Sequence, residues 1–184
     1  MIWFTSDFHF CHAREFVYQA RGFSCIKEMN DTIVKNWNMV VQPDDDVYIL
    51  GDVMLNNNDE GLRLLKSLKG NIHIIIGNHD TNIRVEMYRS CWNVVEVTYA
   101  TVIKYEGYHF YLSHYPTFTG NLEKDTLKKM LLNIHGHTHS TNPFYHDIPF
   151  MYNAGVDAHN CMPVSIDKVI EDMKQKMQEC KQMM

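Results

Sequence analysis

Apolar and polar positions in the first half of the chain follow two alternating patterns. Short apolar runs at residues 2–5, 47–50 and 72–76 have the length of buried β-strands. Apolar residues also recur about every 3.6 positions in residues 26–41 and 62–68, which predicts two amphipathic helices. Strands that alternate with helices are typical of an α/β domain.

The second half of the chain has a different pattern. Residues 94–99, 101–105 and 108–112 are β-rich runs separated by short breaks, which predicts a meander of antiparallel hairpins. Residues 150–152 are a further candidate strand. Combined with the first half, this pattern predicts an α/β fold with more than one sheet.

Local signals mark the ends of the predicted helices. Ser24 is the candidate N-cap of the first helix, and Pro43 stops that helix. Ser165 begins a terminal helix, and we interpret the methionines on its apolar face as core packing and not as a cofactor site. The apolar positions of that face are Ile166, Val169, Ile170, Met173 and Met177.

Composition narrows the class of protein. With 184 residues, 45% of them hydrophobic, and a net charge of only −5, residues 1–184 are expected to form a single folded domain. No apolar run approaches the ~20 residues of a membrane span, and the first segment lacks the basic region of a signal peptide. We therefore expect a cytoplasmic protein with no membrane contact. The negative charge also argues against an extended nucleic-acid surface.

The numbers of cysteines and histidines indicate the redox state of the thiols and the location of the candidate chemistry. The five cysteines are an odd number without a Cys-x-x-Cys pair, which favours reduced thiols over a disulfide framework. The eleven histidines are unusually many, and several lie beside Asp, Asn and Gly in short clusters. The candidate chemistry is therefore expected in these clusters.

Metal-ligand side chains follow the predicted strands directly. They are Asp7, His9, Asp52, Asn78, His114, His137 and His139. In open α/β sheets the ends of the strands form the crevice where ligands bind, so these residues are expected to converge. A spacing of two predicts that Asp7 and His9 lie on one side of an extended segment, as do His137 and His139. Glycines precede several of them and are expected to allow tight turns: Gly51, Gly77 and Gly136.

The donor set predicts two metal ions. Imidazole, carboxylate and amide donors suit borderline cations, and we favour Mn²⁺ over Fe, Zn²⁺, Ni²⁺ or Co²⁺. Seven donors exceed the needs of one ion but suffice for two if one carboxylate bridges them. Two cations ~3.5–4 Å apart can hold a hydroxide and a phosphoryl oxygen for in-line displacement.

Five short motifs occur in order, each at the end of a β-like run. They are Asp7-x-His9, Gly51-Asp52, Gly77-Asn78-His79-Asp80, Ser113-His114 and Gly136-His137-x-His139. The set closely resembles the motifs of the calcineurin-like metallophosphoesterase superfamily. This resemblance implies a four-layer α/β fold in which two packed mixed β-sheets are flanked by helices.

The resemblance also implies a role for each motif residue. One metal would be held by Asp7, His9, Asp52 and His139. The other would be held by Asp52, Asn78, His114 and His137, with Asp52 bridging. His79 would act on the phosphoryl group or the leaving oxygen, and Asp80 would orient a histidine. A hydroxide bridging the two metals would attack phosphorus in line.

Further segments resemble a subgroup of small bacterial or phage phosphoesterases. These segments are Ser-Asp-Phe-His-Phe-x-His at 6–12, Ser-His-Tyr-Pro at 113–116 and Asn-Ala-Gly-Val-Asp-Ala at 153–158. Cys11 replaces a glycine that many relatives have. No Asp-Arg-Gly follows Asp52, which disfavours the Ser/Thr protein phosphatases and the symmetrical dinucleoside tetraphosphatases.

The sequence thus predicts a metal-dependent phosphoester hydrolase with a small substrate. We favour a phosphodiesterase acting on small or cyclic nucleotide-like substrates. The alternatives are a phosphomonoesterase, a nuclease and a non-catalytic scaffold of the same fold. Candidate substrate contacts are His12 and Arg14, followed by Arg84 and Lys124. Phe144, Tyr145 and Phe150 are candidates for stacking on a base, although packing against the domain is the favoured role.

Overall fold

Nine β-strands and five α-helices make up residues 1–182, the part of the chain that the computed structural model describes. The strands are β1 (Ile2–Thr5), β2 (Asp46–Ile49), β3 (Asn71–Ile75), β4 (Val94–Thr98), β5 (Ala100–Tyr105), β6 (Tyr108–Ser113), β7 (Leu131–His135), β8 (Met151–Asn153) and β9 (Val164–Ser165). The helices are α1 (Glu15–Tyr18), α2 (Ile26–Val40), α3 (Asn58–Lys66), α4 (Asn82–Arg89) and α5 (Ile166–Gln182). Single 3₁₀ turns occur at Leu127–Lys129 and Tyr145–Asp147.

The strands form two mixed sheets. The first has the order β4-β3-β2-β1-β9, in which β1 to β4 are parallel and β9 is antiparallel to β1. The second has the order β5-β6-β7-β8, in which β6, β7 and β8 are parallel and β5 is antiparallel to β6. This architecture of two mixed sheets with flanking helices confirms the predicted fold class.

Alternation along the strands of the first sheet creates two cores. Val47 and Ile49 of β2 lie in one core, together with apolar residues of α2, α3 and α4. Tyr48 and Leu50 lie on the opposite side, where the second sheet and α5 complete the other core. Met173 of α5 is fully buried there and Met177 is partly buried, which confirms core packing for these methionines.

The predicted meander is only partly correct. β5 and β6 form an antiparallel hairpin, but β4 belongs to the first sheet and pairs parallel with β3. Helix α4, which the sequence pattern did not predict, makes this possible because parallel neighbours need a crossover connection. The chain therefore passes from one sheet to the other between β4 and β5.

The two predicted helix starts have different outcomes. Ser165 directly precedes α5, as predicted, and its side chain accepts a hydrogen bond from the Lys168 amide at 3.3 Å. Ser24 does not cap α2, which begins after Cys25. Instead, the Ser24 amide and hydroxyl both donate to the carboxylate of Glu28, at 2.8 and 2.7 Å.

Within residues 1–182, the helices are too short or too polar to cross a bilayer.

The carboxyl ends of six parallel strands meet at one edge of the molecule. β1, β2 and β3 contribute three of these ends, and β6, β7 and β8 contribute the other three. A parallel bridge between Ser6 and Gly155 links the end of β1 to the segment that follows β8. The loops that leave both sheets are therefore brought together at this edge, which is where an α/β fold places its ligands.

Candidate metal centre and catalytic site

All seven predicted metal ligands lie in the loops at this shared edge. They follow β1 (Asp7, His9), β2 (Asp52), β3 (Asn78), β6 (His114) and β7 (His137, His139). Asp52 lies at the centre of the group, because its Oδ2 is 3.7 Å from both His9 Nε2 and His114 Nε2. The tertiary structure thus gathers residues that lie up to 132 positions apart in the sequence.

Asp7, His9 and His139 form a first group of donors on one side of Asp52. His9 Nε2 and His139 Nε2 face each other at 3.2 Å. Asp7 Oδ1 lies 4.0 Å from His139 Nε2 and has no hydrogen-bond partner within residues 1–182. The ligand atoms of Asp7, His9 and His139 are close enough to share one cation.

The remaining residues form a second group on the other side of Asp52. The amide oxygen of Asn78 lies 2.8 Å from His114 Nε2 and 3.0 Å from His137 Nδ1. The side chains of Asp52 and His114 are almost completely buried, whereas those of Asn78 and His137 are open to solvent. This group therefore has a buried floor and an accessible rim.

The protonation states in the first group suit a divalent cation. Burial lowers the pKa of His9 to about 2, so its imidazole is neutral and offers a lone pair. Burial also raises the pKa of Asp7 in the chain alone, because a buried carboxylate without a compensating positive charge is unfavourable. A cation next to the unpartnered Asp7 Oδ1 would supply that charge. The residues present therefore fit metal ligation.

Hydrogen bonds orient two of the histidines towards the centre. The ring Nδ1 of His114 donates to the carbonyl of Leu50 at 2.8 Å, which directs Nε2 at Asn78 and Asp52. The Nδ1 of His139 lies 3.0 Å from Asp157 Oδ2, which leaves its Nε2 facing His9. In metal sites, such partners set the tautomer and the ring orientation of the ligand.

The backbone of the ligand loops is not extended, contrary to the expectation from the spacing of two. Five ligands have left-handed φ angles: Asp7 (60°), His9 (50°), Asp52 (55°), His137 (68°) and His139 (48°). Non-glycine residues seldom adopt this conformation, and it concentrates at functional sites. Tertiary contacts hold it here: the Asp7 amide donates to the Gly51 carbonyl and the His9 amide to the Asp52 carbonyl, both at 3.0 Å.

The glycines before the ligands are required by close packing more than by turns. A Cβ on Gly51 would lie 2.5 Å from His114 Nδ1, and a Cβ on Gly136 would overlap Ser6 Oγ. A Cβ on Gly77 would overlap Asp52 Oδ1. Only Gly51 of the three also has a positive φ, of 95°. These glycines let neighbouring loops approach within the space of the donor cluster.

The contacts of Asp80 differ from the predicted contact, in which it orients a histidine. Its Oδ2 accepts hydrogen bonds from the amides of Asp52 and Gly77, both at 2.8 Å, and its Oδ1 accepts from the Tyr88 hydroxyl at 2.7 Å and the Val53 amide at 3.2 Å. Both carboxylate oxygens are thus engaged by loop amides and a phenol, and Asp80 does not contact a histidine ring. Asp80 joins the loop after β2 to the loop after β3.

His79 lies at the rim of the cluster. Its side chain is exposed, and its ring meets the His9 ring edge-on with 5.4 Å between the centroids. Its backbone amide donates to Asp52 Oδ1 at 2.8 Å, and its carbonyl accepts from Arg84 at 2.6 Å. The loop is therefore fixed through its backbone, which leaves the imidazole free to meet a substrate.

The candidate substrate contacts have different positions. His12 is half-buried next to His9, with 5.6 Å between the ring centroids. Arg14 is exposed and makes no side-chain hydrogen bond or ion pair within residues 1–182. Arg84 is engaged by the His79 loop, and Lys124 pairs with Glu123 at 3.0 Å. Of these four, only His12 is in contact with the metal-ligand cluster.

The aromatic residues considered for base stacking pack inside the domain or away from the cluster. Phe144 is buried against Tyr152, with 5.3 Å between the ring centroids. Phe150 packs against the core between the sheets, and Tyr145 contacts the buried ring of His135. His135 itself is fully buried, and its Nδ1 donates to the Gly136 carbonyl at 2.9 Å. Packing is therefore the role that the structure shows for them.

Sequence reasoning missed a buried ion pair behind the cluster. The guanidinium of Arg21 binds both carboxylate oxygens of Asp157, at 2.8 and 2.9 Å. It also donates to the backbone carbonyls of Asp7 and Phe8, at 2.8 and 3.1 Å. Although burial opposes ionisation, hydrogen bonds from His139 and Arg21 hold the pKa of Asp157 below its usual range. This carboxylate is therefore charged.

The Arg21–Asp157 pair contacts two residues of the first group of donors, His139 and Asp7. Asp157 orients His139, while Arg21 holds the backbone that carries Asp7. Asp157 lies in the Asn-Ala-Gly-Val-Asp-Ala segment, so the subgroup resemblance marked its neighbourhood. Arg21 has no motif around it, and 136 positions separate it from Asp157.

Asp157→Asn is expected to weaken Mn²⁺ binding by about 10- to 100-fold, the usual effect of losing an outer partner of a ligating histidine. The amide removes the charge that faces Arg21 and His139. Calorimetric titration of metal-free protein measures the change, with Asp44→Asn, at an exposed turn, as the matched control. Equal Mn²⁺ affinity in the two folded variants would contradict this role.

Comparisons with known proteins cover nearly the whole chain. A family model described as "Calcineurin-like phosphoesterase superfamily domain" matches residues 1–163. The uncharacterized protein MJ1445 of Methanocaldococcus jannaschii is 38% identical over 176 residues, which cover 92% of this chain and 89% of that protein. The Gene 66 protein of Mycobacterium phage L5 is 30% identical over 161 residues, covering 75% and 77%.

A solved structure shares the fold. AQ665, a protein of unknown function from Aquifex aeolicus, matches with a TM-score of 0.70 at 27% identity, covering 93% of this chain and 98% of that chain. The family match includes every loop that carries one of the seven donors, because it extends past His139.

Proposed function

The chain belongs to the calcineurin-like phosphoesterase superfamily, and from this premise we propose that it is a dinuclear-metal-dependent hydrolase of small phosphodiesters. One observation carries the proposal: Asp52 Oδ2 lies 3.7 Å from a histidine of each donor group. A carboxylate in that position is suited to bridge two cations. The donor types favour Mn²⁺, with Fe, Zn²⁺, Ni²⁺ and Co²⁺ as alternatives.

Each donor group would hold one cation. Asp7, His9 and His139 would hold the first, and Asn78, His114 and His137 the second, with Asp52 shared. When bound, such a pair supplies Lewis-acid activation of water and of the phosphoryl group. The chain itself fixes the donors through the loop hydrogen bonds of Asp80 and the ion pair of Arg21 with Asp157.

His79 is the group proposed to act on the leaving oxygen. Its exposed imidazole lies beside His9, at the open side of the cluster. A histidine at this rim can donate a proton to the oxygen that departs from phosphorus. The hydrogen bond from the His79 amide to Asp52 Oδ1 holds this residue beside the proposed bridging carboxylate.

The charges around the site favour a diester over a monoester. A phosphomonoester carries a second negative charge, which proteins usually bind with Arg or Lys. Of the two arginines that contact site residues, Arg21 is neutralised by Asp157, and the Arg84 guanidinium is held by the His79 carbonyl and Asn58. Arg14 is exposed but does not contact the metal-ligand cluster. A singly charged diester needs no further cation from the protein.

A comparison of two chromogenic substrates tests the proposal. In the presence of Mn²⁺ we expect kcat/KM for bis-p-nitrophenyl phosphate to exceed that for p-nitrophenyl phosphate. The metal-free protein serves as the control and should hydrolyse neither. A clear preference for the monoester would overturn the diesterase assignment, and full activity after metal removal would overturn the metal dependence.

A further inference from the structure

A cavity of about 290 Å³ opens beside the first group of metal ligands. It is lined by His9, His12, Phe16, Val17, Ala20, Arg21, His139 and Asp157. Two of these, His9 and His139, are predicted metal ligands, so the cavity is continuous with the candidate centre. A substituent on a phosphoryl group held at the centre can therefore extend into it.

The walls of the cavity are mainly apolar. Phe16, Val17 and Ala20 come from the segment of α1 and the turn that follows it. Phe16 is 72% exposed, and its ring meets the His12 ring edge-on with 5.8 Å between the centroids. An exposed phenylalanine that packs edge-on against a histidine ring leaves its own face open to contact a flat ring in the cavity.

The two ionised side chains of the cavity, Arg21 and Asp157, neutralise each other. The guanidinium of Arg21 is closed off by Asp157 through two hydrogen bonds, at 2.8 and 2.9 Å. The side chains of this pair are only 4% and 12% exposed. Because Arg21 is already paired with Asp157, it is not available to bind a second phosphate. The cavity therefore favours an uncharged occupant.

We propose that this cavity is the subsite for the substituent that stays on phosphorus, and that it selects a flat, uncharged aromatic ring. The inference rests on the proposed function, and it assigns Phe16 as the specificity-determining residue. His79, the proposed donor to the leaving oxygen, does not line the cavity. The leaving group therefore departs outside it, and the retained substituent occupies it.

Two diesters with the same leaving group test the subsite. Bis-p-nitrophenyl phosphate retains an aromatic ring, and methyl p-nitrophenyl phosphate retains a methyl group. We expect Phe16→Ala to lower the ratio of their kcat/KM values about five- to tenfold, the size of one aromatic contact. Phe16→Leu should restore part of the ratio, and Ala20→Leu, which narrows the cavity, should lower it.

Trp92→Ala is the control for loss of an exposed aromatic residue. Trp92 is 75% exposed and precedes β4, at the opposite end of the first sheet from the site. Its substitution should leave the ratio unchanged. A ratio that is the same in Phe16→Ala as in the wild type would overturn the subsite.

A binding measurement separates this inference from the proposed function. Calorimetry on Mn²⁺-loaded protein compares two singly charged esters, methyl phenylphosphonate and methyl methylphosphonate, in which a P–C bond keeps the phenyl or methyl group on phosphorus. We expect the wild type to bind methyl phenylphosphonate at least fivefold more tightly and Phe16→Ala to lose that preference. Absence of turnover on both diesters would reject the proposed function, whereas equal binding of the two phosphonates would reject the subsite.

Discussion

Asp52→Asn is expected to lower phosphodiester turnover by more than about 100-fold and to weaken both metal positions together. The oxygen that it replaces lies 3.7 Å from His9 and from His114, one histidine in each donor group. An amide has no charge to share between two cations, so each would lose part of its attraction. Asparagine retains an oxygen that can accept the His79 amide, which limits damage to the loop.

Metal content and calorimetric titration of the purified variant give the direct readout. The wild type should bind about two equivalents of Mn²⁺, and the variant should bind both more weakly. Asp44→Asn, a change of the same chemistry at an exposed turn, should behave as the wild type. If Asp52→Asn lost only one equivalent and kept the other at full affinity, the bridging role would be wrong.

His79→Ala is expected to retain both metals while kcat on a diester with an alkyl leaving group falls by about 10²- to 10⁴-fold, the usual contribution of a general acid. The imidazole is exposed and its ring is not needed to hold the loop, because the contacts with Asp52 and Arg84 use backbone atoms that alanine also has. The variant should therefore fold and bind Mn²⁺ with unchanged affinity.

The dependence on the leaving group tests the proton transfer itself. A p-nitrophenolate departs without a proton, so its diester should lose little turnover in His79→Ala. An alkyl diester needs the proton and should show the full loss. His109→Ala, at an exposed strand position, controls for the removal of an imidazole. An equal loss with both leaving groups would point to stabilisation of the phosphoryl charge instead of proton donation.

Local sequence was sufficient for most elements of the fold and for the placement of the seven predicted metal ligands in loops that follow strands. Strands such as 47–50 and 72–76 lie in a sheet that is covered on both faces, so each is a continuous apolar run. Such a run can be recognised in the sequence without knowledge of the neighbouring strand. Each donor follows such a run directly, and the parallel arrangement brings their carboxyl ends together. The ordered motifs then identified the family that the comparisons establish.

The neighbours of each strand could not be predicted from the sequence in the same way. The run at 94–99 has the composition of a hairpin strand, yet β4 pairs parallel with β3 because the short helix α4 returns the chain across the first sheet. A β-pattern records burial on each face but not the identity of its neighbour. Likewise, spacing did not reveal the left-handed backbone of the ligand loops, which contacts between loops impose.

The amino-acid sequence by itself determined which side chains end the strands and what metal chemistry they offer, because residue type and local period are encoded at short range. Only the tertiary structure decided that Arg21 pairs with Asp157 behind His139, that Asp80 joins two loops, and that Phe16 borders a cavity next to the centre. These features depend on contacts between segments far apart in the chain, and no local pattern specifies which distant segment a side chain will meet.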